Sequence, residues 1–266
     1  MVKVLVLTGY GINCEEETAF AFEKAGAKAS IVHVNDLIEK PGQLASFQIL
    51  AFPGGFSYGD DTGSWNALAN KIRNNLWGEL VEFIEAEKLV LGICNGFQVI
   101  TNLGILPGIE NKEPRRAVAL SHNNSARYEC RWVSLKVFSK KCVFTKGIES
   151  IRMPVAHGEG KFTASKEVLE ELNRAGQVVF RYVKRDSPAN GEFPFNPNGS
   201  MGDIAGICSP DGRILGMMPH PERNIFFTQQ DDWAAQKEKL KRAGKKIPEE
   251  SSGMQIFRNA VEFFRQ

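Results

Sequence analysis

Residues 89–100 read LVLGICNGFQVI, and this stretch decides the fold. Residues 89–93 form a continuous apolar run of the kind that fills a strand covered on both faces. The chain then turns through Cys94 directly into an apolar helix. Glycines stand two residues before the cysteine, at Gly92, and two after it, at Gly96. This is the G-x-nucleophile-x-G elbow, with cysteine where hydrolases carry serine. A turn this tight presses the two flanking positions together and leaves no room for a Cβ at either. It lifts Cys94 out of the sheet edge and aims the backbone N–H of Asn95 at the point where an oxyanion would form. The helix that follows sets its positive N-terminus at the sulfur, which favours thiolate.

Working outward, residues 3–7 (KVLVL), 29–34 (ASIVHV) and 48–52 (QILAF) are further apolar runs typical of buried parallel strands. Between them, residues 15–25 and 65–87 have helical spacing; in the second, Leu68, Ile72, Leu76, Leu80, Phe83 and Ile84 recur three or four apart. This alternation predicts an α/β fold, an open and mostly parallel sheet with helices on both faces. From Arg116 the rhythm changes. Residues 128–138 (YECRWVSLKVF) alternate with period two, and 177–183 and 204–208 are further strands, interrupted by a helix at 166–175. The second half therefore adds an antiparallel portion, either extending the same sheet or packing a smaller layer on it. No linker marks a boundary, so 1–266 reads as one domain. A charged insertion near 229–253, with KEKLKRAGKK at its centre, reads as a solvated helix plus loop, the sharper reading being a docking element. Residues 254–264 read as an amphipathic helix packing back onto the body.

Hydrophobic content of 42% and charged content of 24% are those of an ordinary globular protein. A formal net charge of +2 points to neither nucleic acid nor an anionic membrane as partner. No apolar stretch reaches membrane-spanning length, and the N-terminus reads as a strand, not a signal peptide. Five scattered cysteines without a C-x-x-C pair suggest neither a disulfide framework nor a zinc site, and fit a reducing cytoplasm. Cys14, Cys130, Cys142 and Cys208 lack the setting of Cys94 and read as plain buried thiols.

A nucleophilic cysteine needs a base and a group that orients the base. Four histidines are available. His33 falls within the second strand, where burial accounts for it. His220 lies in GMMPHPER, where an apolar strand ends at Pro219. In an extended segment His220 and Glu222 face the same side, and Pro221 between them excludes a helix. A carboxylate beside an imidazole selects its tautomer and stabilises the imidazolium. His157, in AHGEG, is the rival base; its glycine-rich surroundings suit a loop that contacts substrate. Gly54 and Gly55, in FPGGFSYGD at the end of the third strand, permit close backbone approach and could supply a second N–H to the oxyanion.

PGG, GICNGFQ and PHPE together resemble the class I, or triad, glutamine amidotransferases, which have a flavodoxin-like α/β fold. FPGGFSYGD, GICNGFQ, HNNSARYECRW, PVAHGEGKF, NPNGS, IAGICSPDGRILGMMPHPER and IFRNA run in order from residue 51 to 260 and narrow the resemblance to the glutaminases of phosphoribosylformylglycinamidine synthases. The resemblance implies Cys94 as nucleophile, His220 as general base and Glu222 as its orienter. It implies that Gln98 contacts glutamine and that the PGG loop with the N–H of Asn95 forms the oxyanion hole. It implies delivery of ammonia to a synthetase subunit, with a small accessory subunit in the same complex. No cofactor is implied for this chain; ATP and Mg serve the synthetase, and no P-loop or kinase motif is present here. The stretch 61–70 (DTGSWNALAN) departs from the glycine- and alanine-rich run of the family, and the insertion at 229–253 exceeds a compact subunit's length. The alternatives are a different amidotransferase, or a cysteine hydrolase of the same fold. Protease-like relatives of that kind place histidine directly after the nucleophile, where this chain has Asn95.

Overall fold

A computed structural model describes the whole chain apart from residues 60–62, 64, 111, 112, 186 and 266. In chain order the elements are β1 (Lys3–Thr8), α1 (Glu15–Lys24), β2 (Lys28–His33), α2 (Val34–Glu39), β3 (Ile49–Phe52), α3 (Asn66–Glu85), β4 (Leu89–Ile93) and α4 (Asn95–Leu103). Then come β5 (Ile109–Glu110), β6 (Glu113–Pro114), β7 (Val118–Ser121), β8 (Glu129–Val137), β9 (Ser150–His157), β10 (Lys161–Ala164), α5 (Lys166–Arg174), β11 (Val178–Lys184) and β12 (Ser187–Pro188). The chain closes with β13 (Ile204–Cys208), β14 (Ile214–Met217), α6 (Trp233–Arg242) and α7 (Met254–Phe263).

The main sheet runs β2-β1-β3-β4-β14-β13-β11-β8-β9, with β12 paired to β11. From β2 to β14 the pairings are parallel, and from β14 to β9 antiparallel. The antiparallel portion is therefore an extension of the same sheet and not a separate layer. Val4–Val6 of β1 and Leu89–Leu91 of β4 are fully buried, as strands covered on both faces must be. Right-handed crossovers carry β1–α1–β2 one way along the sheet and β3–α3–β4 the other, so α1 and α3 lie on opposite faces. α7 joins α1, with the Phe22 and Phe257 rings edge-to-face at 5.0 Å, and α4 lies beside α3. The reversal of direction between β1 and β3 opens a crevice at their carboxyl ends, where open α/β sheets hold their sites.

Three expectations are corrected, the simplest being that Cys130, read as a buried thiol, is exposed. The run at 29–34 is an edge strand: β2 pairs only with β1, Ile31 is 44% exposed and His33 is half-buried. His33 ends the strand and caps α2, its Nδ1 accepting from the N–H of Asn35 at 3.2 Å. Its polarity is explained by capping and not by burial. The segment after His220 is not extended either: Pro221–Arg223 is a 3₁₀ turn with Pro221 at its first position, where the missing N–H costs nothing. In the insertion, α6 buries no residue, as a solvated helix should.

Candidate active site

The elbow has the steric cause its glycines imply, with one refinement. A Cβ on Gly92 would lie 2.9 Å from the carbonyl oxygen of Gly96, so these two positions do press on each other. A Cβ on Gly96 would instead strike the neighbouring strand, 1.8 Å from the carbonyl oxygen of Phe52 in β3. Cys94 sits between them at φ 50°, ψ −107°, a left-handed conformation that costs a non-glycine residue on the order of 1–3 kcal/mol. The surrounding structure holds it there. The N–H of Cys94 donates to the carbonyl of Met217 in β14 at 2.8 Å, and its carbonyl accepts from the N–H of Gln98 at 3.1 Å. Its Sγ is 3.7 Å from the carbonyl of Ala156, at the end of β9.

β14 delivers His220 beside this elbow, and the N–H of His220 donates to the carbonyl of Pro154 at 2.9 Å. His220 Nδ1 and Glu222 Oε1 are 2.5 Å apart, with both side chains buried. Burial works against the charged ring, yet Glu222, with Cys94 and Cys14, holds the His220 pKa well above its ordinary value. Among the described residues, Nε2 of His220 is buried with no nitrogen or oxygen partner, so the carboxylate occupies one nitrogen and leaves the other available for a proton.

Gly54 and Gly55 stand at the end of β3, next to β4, as expected of an oxyanion loop. The Gly54 carbonyl accepts from the N–H groups of Asn13 at 3.4 Å and Cys14 at 3.3 Å, and Ile12 pairs with Gly55. A trans peptide points its N–H opposite to its carbonyl, so the Gly55 N–H faces away from the loop after β1. Gly55 lines a small cavity together with Phe56, Cys94, Gln98, His157, Gly158 and Glu159. The cavity holds about 20 Å³, enough for a water and far too little for an amino acid. Gln98 reaches it from α4, donating to the Glu159 carbonyl at 2.5 Å and accepting from Asn95 Nδ2 at 3.1 Å. Phe56, which lines the cavity, packs on Tyr128 with ring centroids 6.2 Å apart. Asp60, which ends FPGGFSYGD, and Asp61 after it lie outside the described residues.

His157 is brought to the same cavity but in no condition to act as a base. Burial first, and then the charge on His220, lower its pKa to about 3. Its Nδ1 is 3.1 Å from Asn123 Oδ1 and its Nε2 3.5 Å from Asn198 Nδ2. An amide oxygen can only accept and an amide NH₂ only donate, so the proton sits on Nδ1. Asn123 and Asn198 also bond the turn after β9, to the N–H and the carbonyl of Gly160 respectively. Gly160 is packed so closely that a Cβ on it would fall 2.4 Å from the His157 ring. Neither asparagine was singled out from the sequence, although both lie in quoted motifs, HNNS and NPNGS.

Cys14 was also missed. It is buried, as read, but its thiol lies against the turn that carries the base: Arg223 Nη2 donates to its Sγ at 3.0 Å. Among the described residues, Cys14, His220 and Glu222 form a group whose donor atoms lie within 4.8 Å of one another, the geometry of a possible cation site. The guanidinium on the sulfur and the carboxylate already paired with the imidazole make it a hydrogen-bonded cluster instead.

The model of the CobB/CobQ-like glutamine amidotransferase domain matches residues 1–264. The chain belongs to that family. A protein of Methanococcus maripaludis named phosphoribosylformylglycinamidine synthase subunit PurQ is 55% identical over 268 residues, covering 99% of this chain and 98% of its own. A subunit of the same name from Dehalococcoides mccartyi is 47% identical, covering 100% and 98%. In solved structures, a chain of PurLQS from Thermotoga maritima superposes with a TM-score of 0.70 at 28% identity, over 99% of both chains. A glutamine amidotransferase from the same organism matches at TM-score 0.56 and 15% identity, a likeness of fold alone. No helix among the described residues is long and apolar enough to cross a membrane.

Proposed function

We propose that this amidotransferase chain hydrolyses the side-chain amide of glutamine through a Cys94 thioester. Its ammonia goes to a synthetase subunit that makes formylglycinamidine ribonucleotide from formylglycinamide ribonucleotide with ATP. The observation that carries the reading is the strained Cys94 elbow set beside a buried imidazole whose Nδ1 is held by Glu222 and whose Nε2 is left for the proton.

The Cys94 thiolate attacks the carboxamide carbon, forming a C–S bond. The N–H groups of Asn95 and Gly55 hold the resulting oxyanion. His220, as imidazolium, gives its Nε2 proton to the leaving nitrogen, the C–N bond breaks and ammonia departs. Water, deprotonated by His220, then attacks the thioester, and the C–S bond breaks to yield glutamate and the free cysteine. Gln98, with the carbonyl of Glu159, positions the substrate. His157, neutral and locked in one tautomer, shapes the pocket and moves no proton.

This chain needs no cofactor for these steps; ATP and Mg belong to the synthetase, and a small accessory subunit completes a cytoplasmic complex. The cavity at Cys94 must open to admit glutamine. Docking of the synthetase over Phe56, Tyr10 and Tyr58 supplies that opening. Tyr10 is 61% exposed and packs on Tyr58 at 5.8 Å, a surface composition typical of interface anchors. The decisive experiment compares the wild-type and Cys94→Ala chains in the reconstituted complex. Cys94→Ala should abolish glutamine-dependent synthesis while synthesis from added ammonium persists. Glutamine-dependent synthesis by the Cys94→Ala complex would overturn the reading.

A further inference from the structure

Cys14 opens α1 at the end of the loop that follows β1, and it touches both halves of the catalytic apparatus. Its backbone N–H, with that of Asn13, holds the Gly54 carbonyl and so sets which way the Gly54–Gly55 peptide faces. Its thiol lies on the other half. A Cβ on Gly54 would stand 2.7 Å from Cε1 of His220 and 3.1 Å from Sγ of Cys14, which places the imidazole edge and the sulfur side by side over that glycine. Arg223 clamps the sulfur from behind at 3.0 Å, and its Nε is 3.7 Å from Glu17 in the first turn of α1. The base-bearing turn is thereby tied to α1 through a thiol that is 1% exposed and takes no part in the chemistry.

We infer that Cys14 is a positioning residue that holds the His220 imidazole and the Gly54–Gly55 peptide in register, linking the loop after β1 to base and oxyanion hole alike. The inference rests on the glutaminase reading and deepens it. The other end of the loop carries exposed Tyr10, and Tyr10 and Gly11 bond by their carbonyls to the N–H groups of Tyr58 and Phe56. A displacement of the loop is therefore felt at Cys14. Other groups also act on His220: Glu222 from its own turn, Cys94 from the elbow, His157 from β9 and Tyr128 from the chain before β8. Of all these groups, among the described residues, Cys14 is the one that comes from the first strand–helix unit.

The test uses the full chain carrying Cys14→Val, Cys14→Ala or Cys14→Ser. The His220 Cε1–H resonance is titrated in the chain itself, and glutaminase is measured in the assembled complex. Loss of the sulfur contact, which raises the His220 pKa, should lower the titration midpoint by about half a pH unit in Cys14→Val and Cys14→Ala. It should lower kcat about tenfold, with KM for glutamine within about twofold. Cys14→Ser, which keeps an acceptor for Arg223, should recover most of both. Wild-type midpoint and kcat in the valine and alanine variants would overturn the inference, as would a serine variant no better than valine. The titration needs no turnover, so it remains decisive for Cys14 even for a chain without glutaminase activity.

Discussion

Gly96 lies so close to Phe52 that a Cβ on it would stand 1.8 Å from the Phe52 carbonyl oxygen. The oxygen belongs to β3 and is fixed by the sheet, so nothing flexible can yield. Gly96→Ala should destabilise the chain by about 2–3 kcal/mol, the upper part of the range for overpacking. It should also move Cys94 relative to His220. Urea unfolding and glutamine turnover are the measurements; unchanged values for both would show that the elbow tolerates a side chain there.

For the triad, Cys94→Ala should leave a folded chain with no glutaminase and no labelling by a glutamine-like electrophile. His220→Ala should cost roughly three to four orders of magnitude in kcat, and Glu222→Ala less, because Nε2 remains while its orientation is partly lost. His157→Ala should raise KM for glutamine more than it lowers kcat. An inactive His157→Ala beside an active His220→Ala would reverse the roles assigned to the two histidines.

The same two histidines predict opposite pH dependences of stability. His157 is neutral when folded, with its pKa lowered from about 6.5 to about 3. Its contribution is fully present above pH ~6.5 and is lost as pH falls toward 3, an effect on the order of 5 kcal/mol. His220 is shifted the other way, so its contribution is present below pH ~6.5 and is lost as pH rises through its elevated folded value. Urea midpoints should therefore fall less steeply between pH 6 and pH 4 in His157→Gln than in wild type. An acid limb identical in the two chains would contradict the buried neutral imidazole.

The isolated chain should be a poor glutaminase, because the space beside Cys94 admits a water and not glutamine. Adding the synthetase subunits, ATP and formylglycinamide ribonucleotide should raise glutamate production by at least about tenfold, as for a gated site. Full activity of the chain alone would separate the cysteine chemistry, which would stand, from the coupling, which would fall. Tyr10→Ala and Tyr58→Ala should reduce the stimulation without affecting the fold.

By itself the sequence determined the elements whose cause is local. The run at 89–93, the glycines around Cys94 and the helical spacing at 65–87 encode backbone geometry and one-sided burial, which are properties of neighbours along the chain. From them came the parallel half of the sheet, the elbow and the strand-end placement of Gly54–Gly55. The His220–Glu222 pair was legible because its partners are two residues apart, even though the turn between them is 3₁₀ and not extended. What only the tertiary structure decided were relations among residues far apart in sequence. Cys14 meets Arg223 across 209 positions, and Asn198 meets His157 across 41. No periodicity records such contacts, because they arise where the crossovers bring loop ends together at one sheet edge. The exposure of β2 was settled in the same way: an apolar run reads alike at the centre and at the edge of a sheet, and only the strand order assigns it a neighbour on one side alone.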